Sequence, residues 1–142
     1  MAKTMLKQVR AHMKGIDLCM LTTVDGRGVP SSRPMSNNGE VDYDGTSYFF
    51  TWKKSRMVRE IKKNAQVGLE FVNSTLLKKT FLSVKGKAKL IDDKEKMREH
   101  WNKDIEIWFE DGLDTPGIVM IEVKAKFIKF LSNAKEGEVT IK

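Results

Sequence analysis

Residues 48–61 read "YFFTWKKSRMVREI". The first half is aromatic and apolar and completes a β-prone run, "TSYFFTW" (46–52). The second half opens with two lysines, a serine and an arginine. It then spaces Met57, Val58 and Ile61 as the inward face of a short helix over 55–64. A helix start exposes unpaired backbone N–H groups and the positive end of the dipole. Ser55 stands where an N-cap belongs, and Arg56 follows it. Such a start can accept a phosphate, and an arginine fork adds charge-assisted bonds. The competing reading is a capped, solvated turn in a basic protein.

Outward from this stretch the same two periods recur. Residues 3–14 predict a helix with Met5, Leu6, Val9 and Met13 near one face. "GIDLCMLTTV" (15–24) reads as a strand, and "DGRG" (25–28) as a hairpin turn. Residues 29–38 return as a strand that two prolines demote to an edge. Strands are also expected at 66–73, at 80–91, with Gly86 as a bulge or close approach, and at 117–132. A helix at 92–102 would be capped by Asp92 or Asp93, and a second helical piece through "KDIEIWFEDG" would end at Gly112. The last ten residues are polar and read as a loose tail. Six strands in hairpin-like succession, with three or four helices, predict a single α+β domain over 1–142. It would be mainly antiparallel, with the sheet curled into a barrel.

Composition narrows the chemistry. The chain has 142 residues, 26 Lys and Arg against 19 Asp and Glu, and a net charge of +7. The basic residues are spread along the chain, which by itself points to solubility more than to nucleic acid. No apolar run approaches the roughly 20 residues of a membrane span, and the N-terminus does not read as a signal peptide. One cysteine, Cys19, excludes an internal disulfide and fits a reducing cytoplasm. It lies in an apolar run and reads as a buried, inert thiol. Two histidines and one cysteine make no zinc cluster, so no metal is expected. Neither a glycine-rich phosphate loop nor a nucleophile elbow is present. Any hard chemistry would belong to an organic cofactor.

A second arginine, Arg33, lies in "SSRPM". Were the strands at 29–38 and 46–52 to pair, Arg33 and Arg56 could border one groove. Pro34, Met35, Phe50, Thr51 and Trp52 would add flat or soft apolar surface. A ligand with a phosphate and a large flat ring would match.

The ordered segments "CMLTTVDGRGVPSSRPM", "YFFTWKKSRMVREIKKNAQVGLEF", "FLSVKGKAKLIDD" and "HWNKDIEIWFEDGLDTPGIVMIEV" cover roughly residues 15–125. In this order they resemble the pyridoxamine 5′-phosphate oxidase-like family of FMN-binding split barrels. "WFEDGLDTP" (108–116) resembles its general stress protein branch. The resemblance implies a six-stranded split barrel and a cytoplasmic homodimer with FMN in clefts between subunits. It implies an arginine, here Arg33, near the flavin ring and ribityl chain. Pro34, Met35 and Ser36 would run beside the ring, Phe50 and Thr51 would end the next strand, and Ser55 and Arg56 would hold the phosphate. It further implies an FMN-dependent oxidoreductase acting on a small organic substrate, with NADH or NADPH as a candidate donor. Departures argue against true pyridoxamine phosphate oxidase activity. Met57 stands where those oxidases carry a lysine, and Phe81 where they carry a glutamine. Their C-terminal tryptophan and arginine segment is absent. Two alternatives stay open: a flavin-binding stress protein without turnover, and a basic nucleic-acid binder. Trp101, Trp108 and Phe109 read as core or interface anchors, with a cleft wall as the other option.

Overall fold

The computed structural model describes residues 2–39 and 41–141. Helix α1 (Ala2–Met13) precedes the hairpin β1 (Leu18–Val24) and β2 (Pro30–Ser36). Then come β3 (Thr46–Trp52), α2 (Arg56–Lys63), β4 (Gln66–Ser74) and β5 (Lys79–Ile91). Helix α3 (Lys94–His100) and two 3-10 turns, Lys103–Ile107 and Gly112–Asp114, lead to β6 (Ile118–Ser132) and β7 (Lys135–Thr140).

All strand pairs are antiparallel, and the sheet runs β2-β1-β4-β5-β6-β3 with β7 added on β6. The two prolines of β2 fit its place at an end of this path, where β1 is its partner. β2 does not pair with β3. These strands lie at opposite ends of the path, so the expected hairpin between them is corrected. The barrel is split there, and α2, which follows β3, reaches across the gap to β1 and β2.

Of the polar tail expected to be loose, residues 133–141 are ordered, and Lys142 lies outside the described residues. Strand β6 has 15 residues, and β3 covers the edge from Ile118 to Lys124. Residues Phe127 to Ser132 continue that edge, and β7 pairs with them. Asn133, at φ 54, makes the tight return, and Val139 is buried. Seven strands therefore form among the described residues, one more than expected.

Strand β5 alternates buried and exposed positions, as a half-buried strand does. Its pairing with β6 shifts register at Lys85/Gly86. A Cβ on Gly86 would stand 2.8 Å from the Lys124 carbonyl oxygen, so glycine is required at this crossing.

The main core fills the barrel with Leu21, Phe49, Leu69, Phe71, Ile121 and their neighbours. Val9 and Met13 of α1 and Met57 and Ile61 of α2 pack against it. A second core holds Phe50, Met97, Ile105, Phe109 and Met120, with Trp101 against it. Phe49 and Phe50 thus face opposite sides of β3, and both are buried. The segment after α3 is a 3-10 turn rather than a longer helix. Asn102 caps it, and Gly112, at φ 61, opens the next turn instead of simply ending the last.

Candidate anion-binding site

β3 ends at Trp52, and the chain turns through Lys53 and Lys54 into α2. The turn is fixed by the backbone: Lys53 N–H donates to the Gly117 carbonyl (2.7 Å), and Ser55 N–H to that of Trp52 (3.0 Å). Ser55 is the N-cap, and its Oγ accepts from the Val58 N–H at 3.3 Å. The Ser55 hydroxyl proton remains available to a ligand. So do the Arg56 and Met57 N–H groups, which have no partner one turn back. Met57, Val58 and Ile61 are buried as the helical period requires, and Arg56 and Arg59 are exposed. Lys53 lies 3.9 Å from Asp92.

The inward face of α2 also carries Glu60, which is 6% exposed. A carboxylate at that depth must be paired or hydrogen-bonded. Glu60 is both. Its Oε1 accepts from Arg56 Nε at 3.0 Å. Its Oε2 accepts from the fully buried Thr23 hydroxyl and lies 3.7 Å from Arg33 Nη2. Arg33 Nη1 donates to Thr23 Oγ1 (2.7 Å) and to the Leu21 carbonyl (3.3 Å). Thr23 is therefore donor to Glu60 and acceptor from Arg33.

The Thr23 hydroxyl, then Arg56 and Arg33, hold the Glu60 carboxyl below the ordinary carboxylate range, against burial. Burial lowers the pKa of Arg33, opposed by Glu60 and assisted by the like charge of Arg56. The result is two guanidinium groups on one buried carboxylate, beside a capped helix start.

Arg33 and Arg56 meet on Glu60 through α2, not through a hairpin of β2 with β3. Pro34 is exposed on β2, Met35 packs against the main core, and Ser36 Oγ accepts from Trp108 Nε1 at 3.2 Å. Phe50 points into the second core, edge-on to Trp101 at 4.9 Å. Thr51 is half-buried opposite Val119, on the strand that leads to Ser55. Trp108 and Ile107 are exposed, whereas Trp101 and Phe109 pack with the second core.

Sequence alone does not single out Thr23 and Glu60 as site residues. Each leaves a trace in the sequence. Thr23 continues the inward alternation of Cys19 and Leu21 with a polar side chain. Glu60 interrupts the apolar face between Met57 and Ile61. Cys19 itself is buried, and burial, then the Glu70 charge, pushes its thiol to about 12. It is no nucleophile near neutral pH.

Arg56 is open to solvent and Arg33 partly so. Two hollows lie elsewhere. One of about 210 Å³ sits on β4, β5 and β6 around Val72, Phe81 and Leu131. One of about 670 Å³ lies between α1 and the β6–β7 turn. No helix among the described residues is long and apolar enough to cross a membrane.

The profile described as "Pyridoxamine 5′-phosphate oxidase like" matches residues 4–140. The chain belongs to that family. General stress protein 26 of Bacillus subtilis is 29% identical over 123 residues, covering 85% of this chain and 84% of that protein. A solved structure from Clostridium acetobutylicum, of a protein related to general stress protein 26, superimposes with a TM-score of 0.80 at 21% identity. The match covers 99% of this chain and 97% of that one. A haem binding protein from Mycobacterium smegmatis shares the fold at a TM-score of 0.72 and 10% identity, and the match covers 95% of this chain but 56% of that one. The split-barrel architecture and the likeness to general stress protein 26 are thus those that the resemblance implies.

Proposed function

We propose that this chain binds FMN through its phosphate monoester and acts as an FMN-dependent oxidoreductase on a small organic substrate. The observation that carries the reading is the gathering of Arg33 and Arg56 on Glu60 beside the Ser55 cap. Arg56 Nη1 and Nη2, the Ser55 hydroxyl and the first N–H groups of α2 form a donor set suited to a phosphate dianion. Arg33 would lie nearer the ribityl chain and ring, where its positive charge favours negative charge on the ligand. Pro34, Met35 and Ser36 would run beside the ring. Phe50 and Thr51 would reach it through backbone groups, since the Phe50 ring is committed to the second core. Bound FMN would supply the hydride and electron chemistry that none of these side chains offers.

The openness of the site in one chain fits closure by a second copy, with exposed Trp108 beside Ser36 as part of the wall. The cell's reducing cytoplasm suits the lone buried thiol. Met57 and Phe81 in place of the oxidases' lysine and glutamine favour a substrate other than pyridoxamine phosphate.

The absorption spectrum of the protein as purified, with mass spectrometry of what it releases, tests the reading. Flavin bands that bleach with NADH or NADPH and return in air over many cycles are expected. Flavin bands that never bleach would leave a flavin-binding stress protein without turnover. Protein that stays colourless after FMN addition, or that shows a haem Soret band instead, contradicts the reading. A steep salt dependence of oligonucleotide binding would point to nucleic acid.

A further inference from the structure

We propose that Glu60 is the positioning residue of the anion site: its buried carboxylate fixes Arg56 with its remaining N–H donors toward the phosphate, and Arg33 beside it. The proposal rests on the phosphate reading above. Arg56 gives Glu60 its Nε edge at 3.0 Å, which leaves both terminal amino groups of a 67% exposed side chain turned to solvent. Arg33 gives Nη1 to Thr23 and Leu21, and its Nη2 lies 3.7 Å from the same carboxylate. The carboxylate cannot swing out to follow a ligand, because the fully buried Thr23 hydroxyl holds Oε2 from β1. Two guanidinium groups this close repel each other, and Glu60 is the charge that lets them share a site. The anchor lies on a helix and a strand of the core, the arrangement that keeps donor geometry fixed before a ligand arrives.

Glu60 could otherwise be a counter-ion that the ligand must outcompete. The two roles give opposite signs. Glu60→Gln keeps the size and removes a negative charge. A competitor's removal raises local positive charge and tightens anion binding. A positioner's removal loosens it.

The experiment measures the dissociation constants of FMN and of inorganic phosphate for wild-type protein, E60Q, R56K and the double variant. It is accompanied by the ¹⁵N spectrum of the Arg56 Nε–Hε group without ligand. R56K keeps the charge but has no Nε edge. Each single variant is expected to bind FMN about tenfold more weakly, the scale of one lost bond to a charged group, and the double variant no more weakly than either. The Arg56 Nε–Hε signal should be protected from exchange in wild-type protein and lose that protection in E60Q. A fall in affinity that is additive, or E60Q binding as tightly as wild type or tighter, overturns the proposal while the FMN reading stands. Wild-type protein that ignores FMN but takes phosphate with the same E60Q deficit sinks the flavin reading and supports Glu60 as positioner. Wild-type protein that takes neither overturns both. Should E60Q fail to fold, R56K in the wild-type background decides: undiminished affinity for phosphate and FMN overturns the proposal, and the tenfold loss supports it.

Discussion

Arg56→Ala is expected to weaken FMN binding by roughly 10- to 100-fold while leaving the fold nearly as stable as wild type. The affinity loss follows from charge-assisted hydrogen bonds, worth roughly 1.5–3 kcal/mol when one partner is charged. The small stability cost follows from exposure. The Arg56 side chain is 67% exposed, so its pair with Glu60 is screened on one side by water. Glu60 keeps the Thr23 hydroxyl and Arg33 when Arg56 is removed. A titration followed by flavin fluorescence, with a urea melt of the same samples, separates the two effects. Unchanged affinity would move the phosphate away from α2.

Glu60→Leu is expected to strike stability hardest. It would leave Arg33, whose side chain is 23% exposed, without its counter-charge. It would also leave the fully buried Thr23 hydroxyl without its acceptor. Removing one partner of a buried pair costs about 3–5 kcal/mol; since Arg33 keeps some contact with water, about 2–3 kcal/mol is expected here. The pH dependence has a definite sign. The carboxyl of Glu60 titrates lower in the folded chain than in the unfolded one, chiefly through the Thr23 hydroxyl. Its contribution is therefore fully present above the ordinary value of about 4.3 and is lost as pH falls through the depressed folded value. Asp25, held down by the Val29 and Arg27 N–H groups, and Asp114, held down by Lys94, titrate in the same direction in both proteins. The gap between wild type and Glu60→Leu in urea melts should accordingly narrow from about pH 7 to about pH 3. A gap that stays constant with pH would mean that the loss comes from packing and not from charge.

Much of the architecture is legible in the residues because it rests on local periods. The alternation along β4 and β5, the prolines of β2 and the glycine crossing at Gly86 each have one cause, and that cause is visible in sequence. The Ser55 cap is legible for the same reason. β7 is not. It is rich in Lys and Glu, with Val139 as its one buried side chain, and it forms because β6 outruns β3 and leaves an edge to be covered. The arginine pairing shows both sides of the matter. Arg33 and Arg56 can be singled out by chemistry, but a hairpin between β2 and β3 is the natural guess for how they meet. In the structure a helix crosses the split instead. The residue that joins them, Glu60, looks in sequence like one more solvated helix charge, and only the burial of Thr23 and the depth of α2 reveal its role.

The central claim is that Arg56, held on Glu60 beside the Ser55 cap, grips a phosphate ester. The most direct measurement compares FMN with riboflavin, which has the same ring and ribityl chain without the phosphate. The account predicts that wild-type protein binds FMN about a hundredfold or more tightly than riboflavin, and that Arg56→Ala removes most of that preference. Equal affinity for the two ligands, or a preference untouched by Arg56→Ala, would contradict it.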